Sequence, residues 1–174
     1  MDCATAPTAY NEAGVSGAGM RKILALIDFS DVTSAVLTTT TDVARAFNAK
    51  LVLLHVATPE ADREADRERQ DVSRQAMAAK VHRNHRALHI MELQCRKLGV
   101  AATALLVRGT SMRGNPIPKI MREVRKIKPD LIVVGSHGHK ALYELLVGSV
   151  TTAVIRKAPC PVLLVPSRER RQKT

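Results

Sequence analysis

The chain has 174 residues, 45% of them hydrophobic and 2% aromatic, and carries a formal net charge of +11. This length suits one domain with a buried core. With two Phe, two Tyr and no Trp, it lacks the aromatic platform on which single-stranded nucleic acid stacks.

The positive charge is spread along the chain, and between Glu60 and Arg74 it alternates in sign, as on a solvated helix face. Net charge governs solubility and steering rather than fold, so nucleic acid is disfavoured as the partner. No uncharged apolar run reaches the length that spans a bilayer, and no membrane partner is expected. The Ala/Gly/Thr-rich start lacks the basic beginning and apolar stretch of a secretory signal. Cys3, Cys95 and Cys160 are odd in number and fall in no CxxC or Cys/His pattern. They read as free thiols in a reducing compartment, which makes a cytoplasmic location the expectation.

Residues 1–20 are expected to form a disordered arm. Residues 21–27 (RKILALI) make a short apolar run ending at Asp28 and read as a buried parallel strand. Asp31 is placed to cap the next helix, with Val36, Val43 and Phe47 inward and an end near Asn48. Residues 51–56 (LVLLHV) make a second strand, and Pro59 breaks the chain. Residues 60–98 read as a long charged helix, with Glu60/Arg63 and Glu64/Arg67 at i,i+3 spacing. Leu88, Met91, Cys95 and Leu98 form one apolar face of that helix, closed by Gly99.

Residues 101–107 (AATALLV) make the third strand. Asn115-Pro116 starts a helix, with Asn as the cap and Pro at its first position. Its apolar face is Ile117, Ile120, Met121, Val124 and Ile127, and Pro129 ends it. Residues 131–134 (LIVV) are the fourth strand, running into Gly135. Thr151–Lys157 reads as helix, Pro159-Cys160-Pro161 stops it, and Val162–Val165 is the fifth strand before a basic tail at 167–174. Alternating strands and helices predict a parallel sheet with helices on both faces, in a single domain over 21–166. Such sheets bind ligands outside the carboxyl ends of the strands, where Asp28, Val56 and Gly135 fall.

Gly135 and Gly138 frame a turn after the fourth strand, and Gly148-Ser149 opens the following helix. Glycine permits positive φ and close backbone approach. Turn amides and the positive end of a helix suit an anion. Ser149 and Thr151 add hydroxyls, and His137, His139 and Lys140 add positive charge beside the turn. The alternative reading of the glycines alone is a plain turn and helix stop; the strand–turn–helix context favours phosphate. Neither a Walker A loop nor GxGxxG is present.

The run GSHGHKALYELLVGSVTTAVIRKAPCPVLLVP resembles the C-terminal signature of universal stress proteins. That family's nucleotide-binding members carry G-x2-G-x9-G-[ST], met here by Gly135, Gly138, Gly148 and Ser149. ILALIDFSDVTSAVL, LVLLHV and PDLIVVGSHGH resemble other family segments, so the likeness spans about 21–166. The resemblance implies a Rossmann-like fold of the adenine nucleotide alpha hydrolase type, with five strands in the order 3-2-1-4-5. It also implies a homodimer pairing through Val162, Leu163, Leu164 and Val165, and ATP held without a dedicated hydrolysis centre. Carried over by position, Asp28 and the backbone at Leu26 and Ile27 would hold adenine and ribose, and Val56 would meet adenine through its backbone. Val134, Gly135 and Gly138 would line the ribose–phosphate turn, and Gly148, Ser149, Val150 and Thr151 would hold the phosphates. His139 stands where the family usually has Arg, and Ala141 where Gly is common, so phosphate affinity is expected to be weaker or pH-dependent.

Other polar residues have competing readings. Arg108 and Arg113 either reach the phosphates or are plain surface residues. Asp28 either meets a ligand or accepts turn amides. His55 is expected to be a core histidine. His85 and His89 are at i,i+4 spacing, but Arg86 stands where a zincin needs Glu, so no protein metal ligands are expected. Ser30 and Ser34 have no identifiable His or Asp partner, and no G-x-S-x-G elbow exists. Glu144 is the carboxylate near the loop, too little for fast phosphoryl transfer, whereas Mg²⁺ can ride on the phosphates with few protein ligands. The functional expectation is an ATP-binding stress or signalling regulator; the alternatives are a slow ATP hydrolase and a non-nucleotide interaction or chaperone-like module.

Overall fold

The computed structural model describes residues 19–57, 70–108, 115–136 and 148–166, with the side chains of 70–77 left aside. The arm at 1–18, the ion pairs at 60–67 and the basic tail lie outside the described residues. In chain order the elements are β1 (Lys22–Leu26), α1 (Thr33–Ala46), β2 (Lys50–Ala57), α2 (Gln70–Lys97) and β3 (Ala102–Arg108). There follow α3 (Ile117–Ile127), β4 (Leu131–Gly135), α4 (Ser149–Lys157) and β5 (Val162–Val165). The strands form one five-stranded parallel sheet in the order β3-β2-β1-β4-β5, as expected.

The inner strands β1, β2 and β4 are largely buried because each face of the sheet carries a pair of helices. Residues alternating along β1 divide between them. Ile23, Ala25 and Ile27 join Leu51, Leu53, Val36, Leu88 and Cys95 under α1 and α2. Leu24 joins Leu54, Ile132, Ile120, Val124 and Val154 under α3 and α4. The chain runs 1-2-3 toward one edge and then returns to build β4 and β5 on the other. The reversal falls between β1 and β4.

Polar groups pin the frame. Asp130 Oδ2 accepts the amides of Arg21 and Lys22, each at 2.9 Å, and Lys22 Nζ donates to the Ile127 carbonyl at the end of α3. Those two amides hold the Asp130 carboxyl below its ordinary range. Arg96 joins α2 to β3 by donating to the Ala102 carbonyl while pairing with buried Glu92.

Four local expectations are corrected. Asp31 does not cap α1: the cap position is Val32, which has no side-chain cap bond. Phe47 is 55% exposed rather than inward, because α1 ends at Ala46 and Phe47 is its C-cap. Leu98 leaves the apolar stripe and is 55% exposed, because α2 ends at Lys97. Gly99 does close that helix, with φ +80° and its amide on the Arg96 carbonyl. The cap position of α3 is Pro116 rather than Asn115, because the helix starts one residue later than expected; Asn115, just before it, still accepts the Ile117 amide through its side-chain oxygen at 3.0 Å.

Candidate functional site

The carboxyl end of β1 lies between those of β2 and β4. The pairs Leu26–Leu54 and Ala25–Val133 set Asp28 level with Val56 on one side and Ser136 on the other. The chain leaves β1 through Phe29, whose φ of 58° is left-handed and costly for a side chain with a Cβ. Asp28 closes this turn: Oδ1 accepts the Ser30 amide at 3.0 Å, the Ser30 hydroxyl at 2.7 Å and the Thr33 hydroxyl at 3.3 Å. Ser30 therefore has an acidic partner after all, but as a turn-forming pair. The Asp28 side chain is exposed, and its Oδ2 has no bond among the described residues.

Val56 is half-buried near the end of β2. In a parallel ladder successive residues direct their N–H and C=O groups to opposite neighbours. Leu54 turns toward β1, where its carbonyl accepts the Ile27 amide at 2.8 Å. Val56, two residues on, turns the same way but past the last paired residue of β1. A continued ladder would set the Val56 amide on the Ile27 carbonyl. Among the described residues that bond is absent, and His55 Nδ1 takes the carbonyl instead, at 2.7 Å.

His55 is 8% exposed. Its other ring nitrogen meets Asn84 Nδ2 of α2 at 3.0 Å, and its ring stands edge-on to Phe29 with centroids 4.6 Å apart. A carbonyl only accepts, so Nδ1 carries a proton. Burial pushes the imidazole below its ordinary value of 6.5; the Ile27 bond and Asp28 oppose that shift, and Lys80 adds to it. The ring is therefore neutral near pH 7, and Nε2 accepts from Asn84. The sequence placed His55 in the core but missed Asn84. A signal existed: the stripe of Leu88, Met91 and Cys95, extended back one turn, lands on Asn84, and a polar side chain on an inward stripe requires a partner.

Across the reversal, Val134 is buried and Gly135 ends β4. A Cβ on Gly135 would stand 3.2 Å from Val32 Cγ1, so glycine lets α1 pack against the end of β4. The Gly135 carbonyl accepts the Thr151 hydroxyl at 2.9 Å, and the Gly148 amide donates to the Ser136 carbonyl at 3.0 Å. These bonds hold the start of α4 against the end of β4. Gly148 is the N-cap and supplies no side chain, while the Ser149 side chain is exposed. Helix geometry leaves the amides of the first turn, Ser149, Val150 and Thr151, without intrahelical acceptors. The Thr151 hydroxyl proton serves the Gly135 carbonyl rather than a ligand.

The structure thus brings Leu26, Ile27, Asp28, Val56, Val134, Gly135, Gly148, Ser149, Val150 and Thr151 to one end of the sheet. Gly138 and His139 lie outside the described residues, as do Lys140, Ala141, Glu144 and Arg113. Arg108 is exposed at the end of β3, with β2 between it and β1. His82 and His85 are exposed, and His89 pairs with Glu92 Oε2 at 3.1 Å. Among the described residues no three His, Cys, Asp or Glu side chains gather as metal ligands, and no helix is long and apolar enough to cross a membrane.

A doubly wound parallel sheet with these groups at its reversal point is an α/β protein of the Rossmann-like class. The universal stress protein family model matches residues 19–166, and the chain belongs to that family. It is 27% identical to universal stress protein YxiE of Bacillus subtilis over 154 residues, 83% of this chain and 97% of that one. It is 31% identical over 83 residues to a universal stress protein A-like protein of Arabidopsis thaliana, 46% of this chain and 45% of the relative. It spans 35% and 39% of the length of universal stress proteins from Methanocaldococcus jannaschii and Thermus aquaticus.

Among solved structures, the UspA protein of Lactobacillus plantarum superposes with a TM-score of 0.72 at 23% identity, covering 85% of this chain and 99% of that one. A universal stress protein in complex with cAMP gives 0.57 at 21%, covering 85% and 98%. The Archaeoglobus fulgidus protein in complex with dAMP gives 0.52 at 21%, covering 83% and 96%.

Proposed function

We propose that this protein binds ATP, with Mg²⁺ carried on the phosphates, in the crevice between the ends of β1 and β4. The observation that carries this reading is the gap beyond β1. There the Val56 amide and Asp28 Oδ2, a donor suited to a base edge and an acceptor suited to a ribose hydroxyl, lie at the carboxyl ends of neighbouring strands. The first-turn amides of α4 stand on the β4 side, where a helix N-terminus suits phosphate. The relatives crystallised with cAMP and dAMP support an adenine nucleotide as the ligand class. Neither Asp28, closing its own turn, nor Thr151, bonded to Gly135, is arranged to activate water. The proposed role is accordingly regulatory, a nucleotide-responsive stress or signalling protein of the cytoplasm, rather than fast hydrolysis.

We also propose a homodimer through β5. This strand is an edge of the sheet, with Leu164 and, on neighbouring α4, Ile155 exposed. Unpaired edges invite pairing with a second chain.

Calorimetry with ATP, ADP, AMP and cyclic AMP on wild type and Gly138→Val tests the site. Saturable ATP binding that the valine abolishes is expected; absence of binding by any of the four to wild type overturns the reading.

A further inference from the structure

We propose that His55 is a positioning residue that stops the β1–β2 ladder one step short and so keeps the Val56 amide open to a purine edge; this rests on the adenine-nucleotide reading above. The ladder ends where the Ile27 carbonyl, the natural acceptor for Val56, is held by His55 Nδ1 at 2.7 Å. The two donors approach one carbonyl from adjacent residues of the same strand, and it is the imidazole that reaches it. The imidazole prevails because it is clamped from three sides. Asn84 holds Nε2 at 3.0 Å, the Phe29 ring lies against its edge, and burial excludes water that would otherwise satisfy it. Phe29 itself sits at φ 58°, so the same contact fixes the turn that presents Asp28. One side chain thereby sets both the base-facing amide and the carboxylate beside it, without touching the ligand.

This geometry makes an asymmetric prediction about side-chain amides. The Nδ2 of Asn can occupy the place of imidazole Nδ1 and donate to the Ile27 carbonyl. The Nε2 of Gln occupies the place of imidazole Nε2, reaching Asn84 and leaving the carbonyl. His55→Asn should keep ATP and adenosine affinity near wild type, whereas His55→Gln and His55→Phe should weaken both about tenfold, the order expected for one hydrogen bond to a buried group. Affinity for inorganic tripolyphosphate, which engages only the α4 end, should be unchanged in all three.

Amide hydrogen exchange separates this role from general loosening. In the Gln and Phe variants the freed Ile27 carbonyl closes on Val56, and exchange at that amide slows. If His55 merely supports the core, exchange there speeds up, and the proposal fails. It also fails if Gln retains ATP affinity while Asn loses it, or if the ¹⁵N shifts of the wild-type ring put the proton on Nε2 alone, a measurement that needs no variant to fold. Should wild type bind no adenine nucleotide, the functional reading falls, and with it the purine part of the proposal, while Val56 exchange still decides whether His55 holds the ladder open.

Discussion

Gly135 shows how narrow the tolerance is at single positions. Its backbone needs no positive φ, so the restriction is spatial: a methyl group there would press on Val32 and Val36 of α1. Gly135→Ala should lower stability by about 1–2 kcal/mol, the cost of modest overpacking, read as a shift in urea midpoint with unchanged slope. Thr151→Val removes the hydroxyl that holds the Gly135 carbonyl, and should lower stability by about 1 kcal/mol and weaken ATP binding in calorimetry. His55 makes stability depend on pH. Its folded value lies below the ordinary 6.5, so the unfolded chain takes up the proton more readily. The stabilisation is complete above about pH 6.5 and is lost as pH falls through the folded value. Urea midpoints between about pH 7.5 and about pH 5 should decline in wild type and flatten in His55→Asn.

Elements were read from the sequence according to how local their causes are. β5 was placed residue for residue, and the apolar face of α3 was placed correctly at Ile117, Ile120, Met121 and Val124, because periodicity and flanking prolines lie within the segment itself. Gly99 was legible for the same reason, and Gly99→Ala should lower stability by about 1 kcal/mol, since a Cβ is strained at φ +80°. The errors fall where a distant contact decides. Asp31 looked like a cap, but the chain enters α1 through the Phe29 turn, sealed by Asp28 and Ser30, which moves the helix start past it. Phe47 and Leu98 continue an apolar spacing beyond the residue where the helix stops. The residues at the carboxyl ends of the strands were legible from topology and motif. The His55–Asn84 pair was not, because it joins β2 to α2 across 29 residues: the stripe marks Asn84 as inward but does not name the residue it meets.

At the scale of the molecule, nucleotide binding and assembly should be separable. A ligand that binds only the folded chain adds about 2.7 kcal/mol at a hundredfold excess over Kd, so MgATP should raise the Tm. Leu164→Lys places charge on the exposed edge strand and should abolish the proposed dimer in light scattering while leaving that Tm shift in place. A dimer that persists would put the interface elsewhere.

The central strand carries a temporal consequence. Within this domain β1 leaves the ribosome before the other strands, yet its clamp at Asp130 lies 108 residues downstream of Lys22, and β4 completes its second side. Until then the side of β1 that pairs with β4 has no partner strand. Distant parallel pairings form slowly and leave such edges open to misassembly. The proposed site is built at the seam between early and late segments, so a still-growing chain has half of it and only the finished fold should bind the nucleotide.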